Sequence, residues 1–476
     1  MATLLILLPL AIIMVLNLPF KDAFKRAAPF LGGCFYLLQA ALVVFHPAAF
    51  WDDIYNPLEA FFAFECSTDA LSLVLFLSIA IVGFVAVLVG AHALKNPRQR
   101  FFLINLLLLA TVGMNANVMV TDLFSTYVFL EVTAVASFIL IAMMKGEGAL
   151  EGAFKYIILS VIASVMMLLS LALLVLVTGQ TSFEAVRAGL GASPESLFVK
   201  MAMILFVCGL FVKGGVVPFH AWVPDVYASA PSFVSVFLAG IVTKVSGVYI
   251  LMRLLVSVFG FEASVQQVIM FVGALSIVVG ALAALAQRDF KRMLAYSSIS
   301  QVGYIVLALG CGTPLAVAGA AFHLFNHAVF KSLLFVNAQG VEERCGTTHM
   351  EMVSGLGSRM PVTGWTSVIA LLSTAGVPPL AGFWSKLLII MALLNASRYG
   401  YAAVALFSSV LTLAYFLSMQ RRMFFGKPHK GMENIREAGP VIVGVEIILA
   451  GITVGAGLLY PLVLEYFILP VQRVVG

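Results

Sequence analysis

Two lysines lie deep inside apolar runs of this sequence, on either side of a segment that glycine and proline must interrupt. Lys213 ends the run before residues 214–218 (GGVVP), and Lys244 lies within the next run. A lysine at the middle of a bilayer costs at least about 2.5–3.5 kcal/mol on insertion scales, so one that persists there usually has a partner and a task. Pro218 lacks a backbone donor, and a broken helix is tolerated at membrane depth only where protein or a water-filled cavity satisfies its freed groups. A buried lysine beside a broken helix therefore indicates an ion path.

A carboxylate lies at similar depth in an earlier apolar run. Glu131 is about nine residues into the run 123–144, which places it near the middle of a bilayer at ~1.5 Å rise per residue. It could serve a structural ion pair or face a lipid headgroup, and without any partner it would stay protonated. Because Lys213 is available, we predict an ion pair between the two whose strength changes through a transport cycle.

A third group of titratable side chains follows one helical face in FHLFNHAVFK. His323, His327 and Lys331 are spaced i, i+4 and i+8, so they align and can pass protons if water fills the gaps between them. A single histidine would be read as a core residue, and HxxxH as half of a metal site, but the sequence shows no third ligand of matching geometry. For Lys331 the alternative is a side chain that reaches the membrane surface.

A second interrupted run carries one more lysine. Residues 376–382 (GVPPLAG) break the run 361–394, and Lys386 follows them. Glu131, Lys213, Lys244, the 323–331 face and Lys386 then form a series of buried ionisable groups. Burial disfavours the charged form of a lysine and a nearby carboxylate favours it, so a carboxylate whose influence changes would alter the proton affinity of Lys213.

The composition is that of an integral membrane protein. Of 476 residues, 62% are hydrophobic and 10% are charged, and the mean hydropathy is +1.08, whereas soluble proteins contain about 25% charged residues. The net charge of +5 is small and scattered over loops, which argues against nucleic acid as a partner. Five cysteines show no metal-binding spacing, so we expect neither a zinc site nor an iron–sulfur cluster.

Continuous apolar runs of ~20 residues predict an all-α polytopic membrane protein of about 14 transmembrane helices, and they exclude a β-barrel. The predicted spans are 4–20, 28–45, 70–93, 101–120, 123–144, 154–177, 198–222, 231–256, 265–286, 293–311, 315–339, 361–394, 402–425 and 440–467.

The charges in the loops predict how the chain is oriented. Basic turns follow spans one, three, nine and thirteen, which puts all four on one side of the membrane, the cytoplasmic side by the positive-inside rule. The loop after span two is acidic (Asp52, Asp53, Glu59) and faces outward. The first span is not a cleavable signal peptide, because no basic residue precedes it. We therefore predict a protein of the cell's inner (cytoplasmic) membrane with both termini outside.

The two broken helices indicate an internal repeat. Spans four to eight and nine to thirteen each have the interrupted helix in the fourth position, a pattern typical of inverted-repeat transporters with a site at the midplane. The predicted division is residues 1–100 (helices 1–3), 101–258 and 259–425 (two inverted five-helix repeats) and 426–476 (helix 14).

These motifs resemble an antiporter-like subunit of respiratory complex I, a group shared with Mrp-type Na⁺/H⁺ antiporters and membrane-bound hydrogenases. The resemblance covers spans three to thirteen and is carried by FLEV (129–132), VKGGVVPFHAWVPD (212–225), TKVSGVY (243–249), FHLFNHAVFK (322–331) and PPLAGFWSK (378–386).

The resemblance implies a hydrophilic axis along the membrane plane, with broken helices 7 and 12. By position, Glu131 and Lys213 would form the pair of helices five and seven, and Lys244 the relay of helix eight. The face His323–His327–Lys331 would link the halves, and Lys386 would serve the exit half. The resemblance further implies a proton-translocating subunit without a redox cofactor of its own, working among other membrane subunits.

The branch of the family stays open. The chain ends soon after span fourteen, without the long lateral helix of the largest complex I subunit, and Lys386 stands where other members have glutamate. We favour a hydrogenase-like or related redox-driven complex, with a Mrp-type Na⁺/H⁺ antiporter subunit or a quinone-site oxidoreductase subunit as alternatives. Against the last stands the lack of a GxGxxG motif or a haem or cluster ligand set. The sequence does not choose between H⁺ and Na⁺.

Overall fold

The computed structural model describes residues 2–18, 23–45, 47, 65–192, 196–428, 432 and 434–475, and nearly all of them are helical. Lys21 and the acidic loop residues Asp52, Asp53 and Glu59, on which the predicted orientation partly depends, lie outside the described residues.

The described residues of the first part of the chain form ten helices. They are α1 (Leu4–Asn17), α2 (Ala23–Phe45), α3 (Ala70–Ala93), α4 (Pro97–Met119), α5 (Leu123–Ala142), α6 (Glu147–Thr178), α7 (Phe183–Ala192), α8 (Leu197–Gly214), α9 (Trp222–Ser229) and α10 (Ser232–Phe259).

The second part continues the bundle. Its helices are α11 (Ala263–Leu285), α12 (Phe290–Cys311), α13 (Pro314–Cys345), α14 (Pro361–Ala375), α15 (Ala381–Asn395), α16 (Tyr399–Met423), α17 (Pro440–Leu458) and a last helical segment, α18, over residues 460–475.

The structure is a helical membrane protein, as the sequence predicts. Within the described residues, eleven helices are long and apolar enough to cross a membrane. Helix α1 and the fragment α15 are apolar but shorter. The count of fourteen spans therefore stays a prediction, although every predicted span coincides with a helix or with a broken pair of helices.

Several helices differ from their predicted extents; α2 and α6, for example, begin five and seven residues before their predicted starts at 28 and 154. Helix α7 lies in what the sequence predicts as a loop, α9 prolongs the seventh span to Ser229, and α13 runs six residues past its predicted end at Gln339. The extension of α13 contains Glu342, Glu343 and Arg344, which mark the membrane surface by hydropathy and yet are good helix formers. Hydropathy shows where a span leaves the membrane, and a helix does not have to end there.

The turns after α3, α11 and α16 lie at one end of the bundle. At that end His92 of α3 pairs with Glu343 of α13 (Nε2–Oε2 3.4 Å), and Lys291 of α12 approaches Glu342 (Nζ–Oε1 3.7 Å). The backbone N–H of Gly357 donates to the carbonyl of Phe424, just after α16 (2.9 Å). These three turns carry much of the basic charge of the chain, so the end that they share is a basic one. We call it the basic end.

At the opposite end a partly buried ion pair joins α3 to α10. The guanidinium of Arg253 donates to both carboxylate oxygens of Asp69 (2.5 and 2.9 Å), and Asp69 also accepts the backbone N–H of Ser72 at the start of α3. Burial by itself would raise the pKa of the Asp69 carboxyl, but the charge of Arg253 and these hydrogen bonds hold that pKa below its usual value.

Both predicted helix breaks are present and end in the same way. Gly215 and Gly376 follow α8 and α14 in left-handed conformations, with φ of 65° and 87°, and a side chain at either position would be strained. The next residue closes the helix in each case: the N–H of Val216 donates to Phe211 (3.0 Å) and that of Val377 to Leu372 (2.9 Å). These are Schellman-type ends, which satisfy the last carbonyls of a helix inside the bundle.

Candidate functional site

The ionisable residues singled out in the sequence lie in the interior of the bundle. Six of them are cationic or can become so, and all six are buried: Lys213, Lys244, His323, His327, Lys331 and Lys386. Glu131 is the exception, with 32% of its side chain exposed in the isolated chain. They come from α5, α8, α10, α13 and α15, so one half of each broken helix, α8 and α15, contributes a lysine.

Glu131 and Lys213 form an ion pair that two serines complete. Lys213 Nζ lies 2.9 Å from Glu131 Oε1 and 3.2 Å from the hydroxyl of Ser160 on α6. Ser164, one turn further along α6, donates to the same carboxylate oxygen (2.6 Å). The Lys213 side chain is 5% exposed, so the pair has a dry end at the lysine and a more open end at the carboxylate.

The break after α8 brings the backbone of that helix against α10. Gly214 and Gly247 face each other, and a Cβ on Gly247 would overlap the backbone of Gly214. Two glycines therefore allow a closer approach than side chains would permit. The contact lies one residue from Lys213 and three residues from Lys244 in the sequence. Among the described residues, the two ammonium groups share no hydrogen-bond partner.

Lys244 lies in an irregular part of α10. Three π-helical stretches, Leu238–Val242, Lys244–Tyr249 and Leu255–Phe259, interrupt the α-helix. The Lys244 ammonium donates to the carbonyl of Ala239 five residues earlier, and it has no carboxylate partner among the described residues. π-Helical turns are rare and often occur at functional sites, because they displace carbonyls from the regular ladder.

Lys331 points at α12. Its Nζ donates to the carbonyl of Leu294 (3.1 Å) and to the hydroxyl of Ser297 (2.6 Å), and the side chain is fully buried. The structure therefore does not support the alternative in which Lys331 reaches the membrane surface. Its partners are neutral, so this ammonium is solvated by dipoles and not by an opposite charge.

The two histidines of α13 lie side by side with open hydrogen-bonding capacity. Their ring centroids are 6.4 Å apart, and His323 Nδ1 lies 2.9 Å from the hydroxyl of Ser385 on α15. Nε2 of His323 and both ring nitrogens of His327 have no hydrogen-bond partner among the described residues. Lys244, Lys331 and Lys386 are all within electrostatic range of His327, which makes it the centre of the row.

Lys386 ends the row on an aromatic ring. Its Nζ lies 4.3 Å from the ring centroid of Tyr304 on α12 and 3.4 Å from the hydroxyl of Ser409 on α16. The Tyr304 hydroxyl is fixed by the carbonyl of Ala405 (2.7 Å) and by Ser409 (3.0 Å). A cation over a desolvated aromatic face gains about 2 kcal/mol, and among the described residues Lys386 meets this ring and the Ser409 hydroxyl and no carboxylate.

Several side chains that complete this site are not evident from the sequence. Ser160, Ser164, Ser297 and Tyr304 are common residue types in apolar runs, and only tertiary contact shows which serine or tyrosine meets a lysine. Glu446 is different: it is a fully buried carboxylate inside the apolar run of α17. The depth argument that singles out Glu131 would have found it.

These features define a class: a multi-pass helical membrane protein with a row of buried ionisable groups crossing two broken helices. The family model described as NADH:quinone oxidoreductase/Mrp antiporter, TM matches residues 120–412, which contain the entire row. The chain belongs to this family, and the resemblance drawn from its motifs is confirmed.

Relatives from both branches of the family are similar to the chain. NADH-quinone oxidoreductase subunit N of Desulforudis audaxviator is 34% identical, over 92% of this chain and 89% of its own length. One subunit of the Na(+)/H(+) antiporter of Alkalihalophilus pseudofirmus is 30% identical, over 78% of this chain and 75% of its own length. Among solved structures, a chain of the archaeal membrane-bound sulfane sulfur reductase is 29% identical and superimposes with a TM-score of 0.88, covering 100% of this chain and 97% of that one.

Proposed function

We propose that this chain is the proton-translocating, antiporter-like subunit of a multisubunit, redox-driven membrane complex. It moves H⁺ along the row that runs from Glu131 through Lys213, Lys244, the His323–His327–Lys331 face and Lys386. The observation that carries the proposal is the burial of six cationic or protonatable groups around two helix breaks, with a single carboxylate among them. Groups of this kind are costly in a membrane interior and mark ion and proton paths.

The ion pair at the start of the row supplies the control. While Glu131 contacts Lys213 at 2.9 Å, the carboxylate stabilises the charged ammonium. If Glu131 moves away, Lys213 stays in a dry site without a counter-charge and releases its proton to the next group. Ser160 and Ser164 provide hydroxyls that solvate each partner while the pair is open.

The middle of the row has the chemistry of a relay. Neutral histidine accepts a proton at one ring nitrogen and donates from the other, and His327 has both nitrogens open among the described residues. Buried polar atoms are ordinarily satisfied by protein or by ordered water, so water bound at these nitrogens would link Lys244 and Lys331 to His323. His323 then reaches Ser385, the residue before Lys386.

The partners of the chain are other membrane subunits. Glu131 is partly exposed on a side of α5 that also presents Phe124, Val128 and Val135 outward. A carboxylate on a lipid-facing surface is costly, whereas a neighbouring protein subunit would cover it. The names of the relatives, each a subunit of a larger oxidoreductase or antiporter, support the same arrangement.

The arrangement in the membrane follows the same reasoning. The basic end faces the cytoplasm and both termini face outward in the inner membrane, as the positive-inside rule requires. Residues 101–258 and 259–425 form two inverted five-helix repeats, with 1–100 and 426–476 flanking them. The matching Schellman-type ends at Gly215 and Gly376 support this division.

A Mrp-type Na⁺/H⁺ antiporter subunit is the second candidate. It is favoured by the 30% identity to the Alkalihalophilus pseudofirmus antiporter protein over most of both chains. Purification of the native assembly through a tag on this chain separates the two. Redox subunits among the co-purifying proteins support the first candidate, whereas an assembly of antiporter subunits alone supports the second.

Substitution of Glu131 by glutamine tests the translocation role. Glutamine keeps the shape and the hydrogen bonds of Glu131 but cannot modulate Lys213, so we expect assembled complex at normal abundance and loss of proton pumping in reconstituted vesicles. Glu184→Gln, an exposed carboxylate on α7, is the matched control and should pump normally. Normal pumping by the Glu131→Gln complex would remove this residue from the mechanism.

A further inference from the structure

A second polar cluster lies away from the row, between α13, α14 and α17. Its centre is Glu446, a fully buried carboxylate about 9 Å along α17 from its first residue at ~1.5 Å rise per residue. Asn337 Nδ2 of α13 donates to Glu446 Oε1 (2.9 Å), and Thr363 Oγ1 of α14 lies 3.1 Å from Glu446 Oε2. Among the described residues Glu446 forms no ion pair, although an unpaired ionised carboxylate is costly to bury.

The hydroxyl of Thr363 is shared by two carboxyl groups. It lies 2.8 Å from Oε1 of Glu437, a partly exposed residue just before α17, as well as 3.1 Å from Glu446. A hydroxyl has one hydrogen to donate, so it can serve only one of two ionised carboxylates. Both contacts become hydrogen bonds if one carboxyl carries a proton and donates it to the Thr363 oxygen.

Asn337 is compatible with either protonation state of Glu446, and its Nδ2 also donates to the hydroxyl of Thr366 on α14 (2.9 Å). Its side chain is fully buried, its Nδ2 faces Glu446, and its Oδ1 has no partner among the described residues. An amide can present either its NH₂ or its oxygen to a neighbour. Asn337 can therefore donate to an ionised Glu446 or, after rotation by half a turn, accept from a protonated one.

We propose that Glu446, Thr363 and Glu437 form a proton-binding relay, separate from the row, that connects the basic end of the bundle to the interior. The proton rests on Glu446 Oε2 and is hydrogen-bonded to Thr363, whose own hydrogen is donated to Glu437. In transfer the Glu446 O–H bond breaks as a new O–H bond forms at Thr363, and the former Thr363 hydrogen passes to Glu437. The net result is that one proton moves from Glu446 to Glu437, and the total charge of the three residues does not change.

The surroundings leave this proton to the two carboxyls. Glu437 is held at the start of α14 by the N–H of Val362 (2.7 Å). His92 and Glu343, which lie beside Gly439 at this end, pair with each other. Lys331 and Lys386, on helices packed against α17, direct their ammonium groups to α12 and α16. Asn337 lies six residues beyond Lys331 on α13, about 9 Å along the axis, so the relay adjoins the row.

Infrared spectroscopy of the purified native complex tests the site directly. The wild type should show the band of a protonated carboxyl group at neutral pH, and that band should shift in D₂O. Glu446→Gln should remove the band, whereas the exposed Glu465→Gln on α18 should leave it unchanged. An intact band in the Glu446→Gln complex would overturn the proposal. A second outcome would also overturn it. In that outcome the wild type lacks the band and binds sodium, as measured by calorimetry with NaCl, and Glu446→Gln loses that sodium binding.

Thr363→Val tests the relay and distinguishes it from a static buried acid. The band should persist, because Glu446 keeps its proton, but its exchange with D₂O should slow by on the order of tenfold, the rate equivalent of one lost hydrogen bond. Unchanged exchange would reject the relay. The proposal does not rest on translocation along the row, because the infrared band reports the proton on Glu446 whether or not the complex pumps. Failure of the pumping role would appear only as normal pumping by Glu131→Gln.

Discussion

Lys213 contacts a carboxylate and a hydroxyl, and two roles are open to it, counter-ion and proton relay. These roles make different demands on the residue at that position. The carboxylate of Glu131 requires a positive charge, which lysine or arginine supplies equally. A proton relay requires in addition that the charge be given up in each cycle. Lysine does this when its ammonium is desolvated, whereas arginine stays protonated in proteins even when it is buried.

Replacement of Lys213 separates these roles. We expect Lys213→Ala to abolish proton uptake by reconstituted vesicles and Lys213→Arg to restore only part of it, both normalised to folded protein. If Lys213 were a structural counter-ion, arginine would work well and alanine would strand Glu131 and destabilise the protein. Full uptake by the arginine variant would sink the relay role.

Tyr304 offers a test at the far end of the row. Its ring lies 4.3 Å from Lys386 Nζ, while its hydroxyl bonds Ala405 and Ser409. Tyr304→Phe keeps the ring and should retain most pumping, whereas Tyr304→Leu removes the cation–π contact and should reduce pumping at least severalfold. Pumping in vesicles measures both. Equal defects in the two variants would show that the hydroxyl, and not the ring, supports Lys386.

The sequence predicts which residues carry charge at depth, but not most of their partners. Lys213 stands out because a lysine directly before GGVVP, inside an apolar run, has few purely structural explanations. The row's link to Tyr304 depends on α12 and α15 meeting face to face, which no local pattern encodes. Glu446 could have been found by the depth argument that singles out Glu131, but no histidine, lysine or glycine-rich break accompanies it in α17 to mark it as part of a motif.

Among the helices, α10 has the most constrained position. It carries Lys244, meets α8 at Gly214 and Gly247, and is tied to α3 through Arg253 and Asp69. Because the carboxyl pKa of Asp69 is depressed in the folded protein, the pair contributes stability above the ordinary carboxyl pKa of about 3.9 and loses it as pH falls through the lower folded value.

This tie predicts an acid-dependent difference between wild type and Asp69→Asn. At neutral pH the variant should be less stable by about 1–3 kcal/mol, the effect of leaving a partly buried group without its hydrogen-bonding partner. This difference in stability should narrow as pH drops below about 4, because protonation removes the negative charge of Asp69 in the wild type, as the substitution does in the variant. Melting temperatures in detergent over this pH range measure it. A gap independent of pH would mean that the charge of Asp69 is not what holds α10.

For the helices, the sequence predicts some features and not others. Both breaks are predictable, because glycine followed by proline leaves a helix few alternatives. The π-helical stretches of α10 are not, since they arise from packing of the helix as a whole and TKVSGVY is compatible with a regular helix. Helix α7 is not predicted because it is too short and too polar to span a membrane, although its buried residues Phe183, Val186 and Leu190 recur at helical spacing.

For the whole molecule, the basic end provides the test of orientation. In a background without the five native cysteines, Lys95→Cys should react with an impermeant maleimide only from the cytoplasmic side. Ala2→Cys and Val475→Cys should react only from outside. Cytoplasmic labelling at both residues would contradict the predicted orientation. Labelling of the two residues from opposite sides would contradict the fourteen-span arrangement, because an even number of crossings returns the chain to the side on which it began.

The row has its one carboxylate at one end, and this has a consequence for how many protons it can hold. Two ammonium groups ~6–8 Å apart repel by about 2–3 kcal/mol at an effective dielectric constant of about 20. Beyond Lys213, each lysine meets only carbonyls, hydroxyls or a ring, so nothing offsets this repulsion among the described residues. We therefore expect proton binding along the row to be anticooperative: a proton that arrives at one lysine would lower the proton affinity of its neighbour, and a proton gained at one end would be matched by a proton lost at the other.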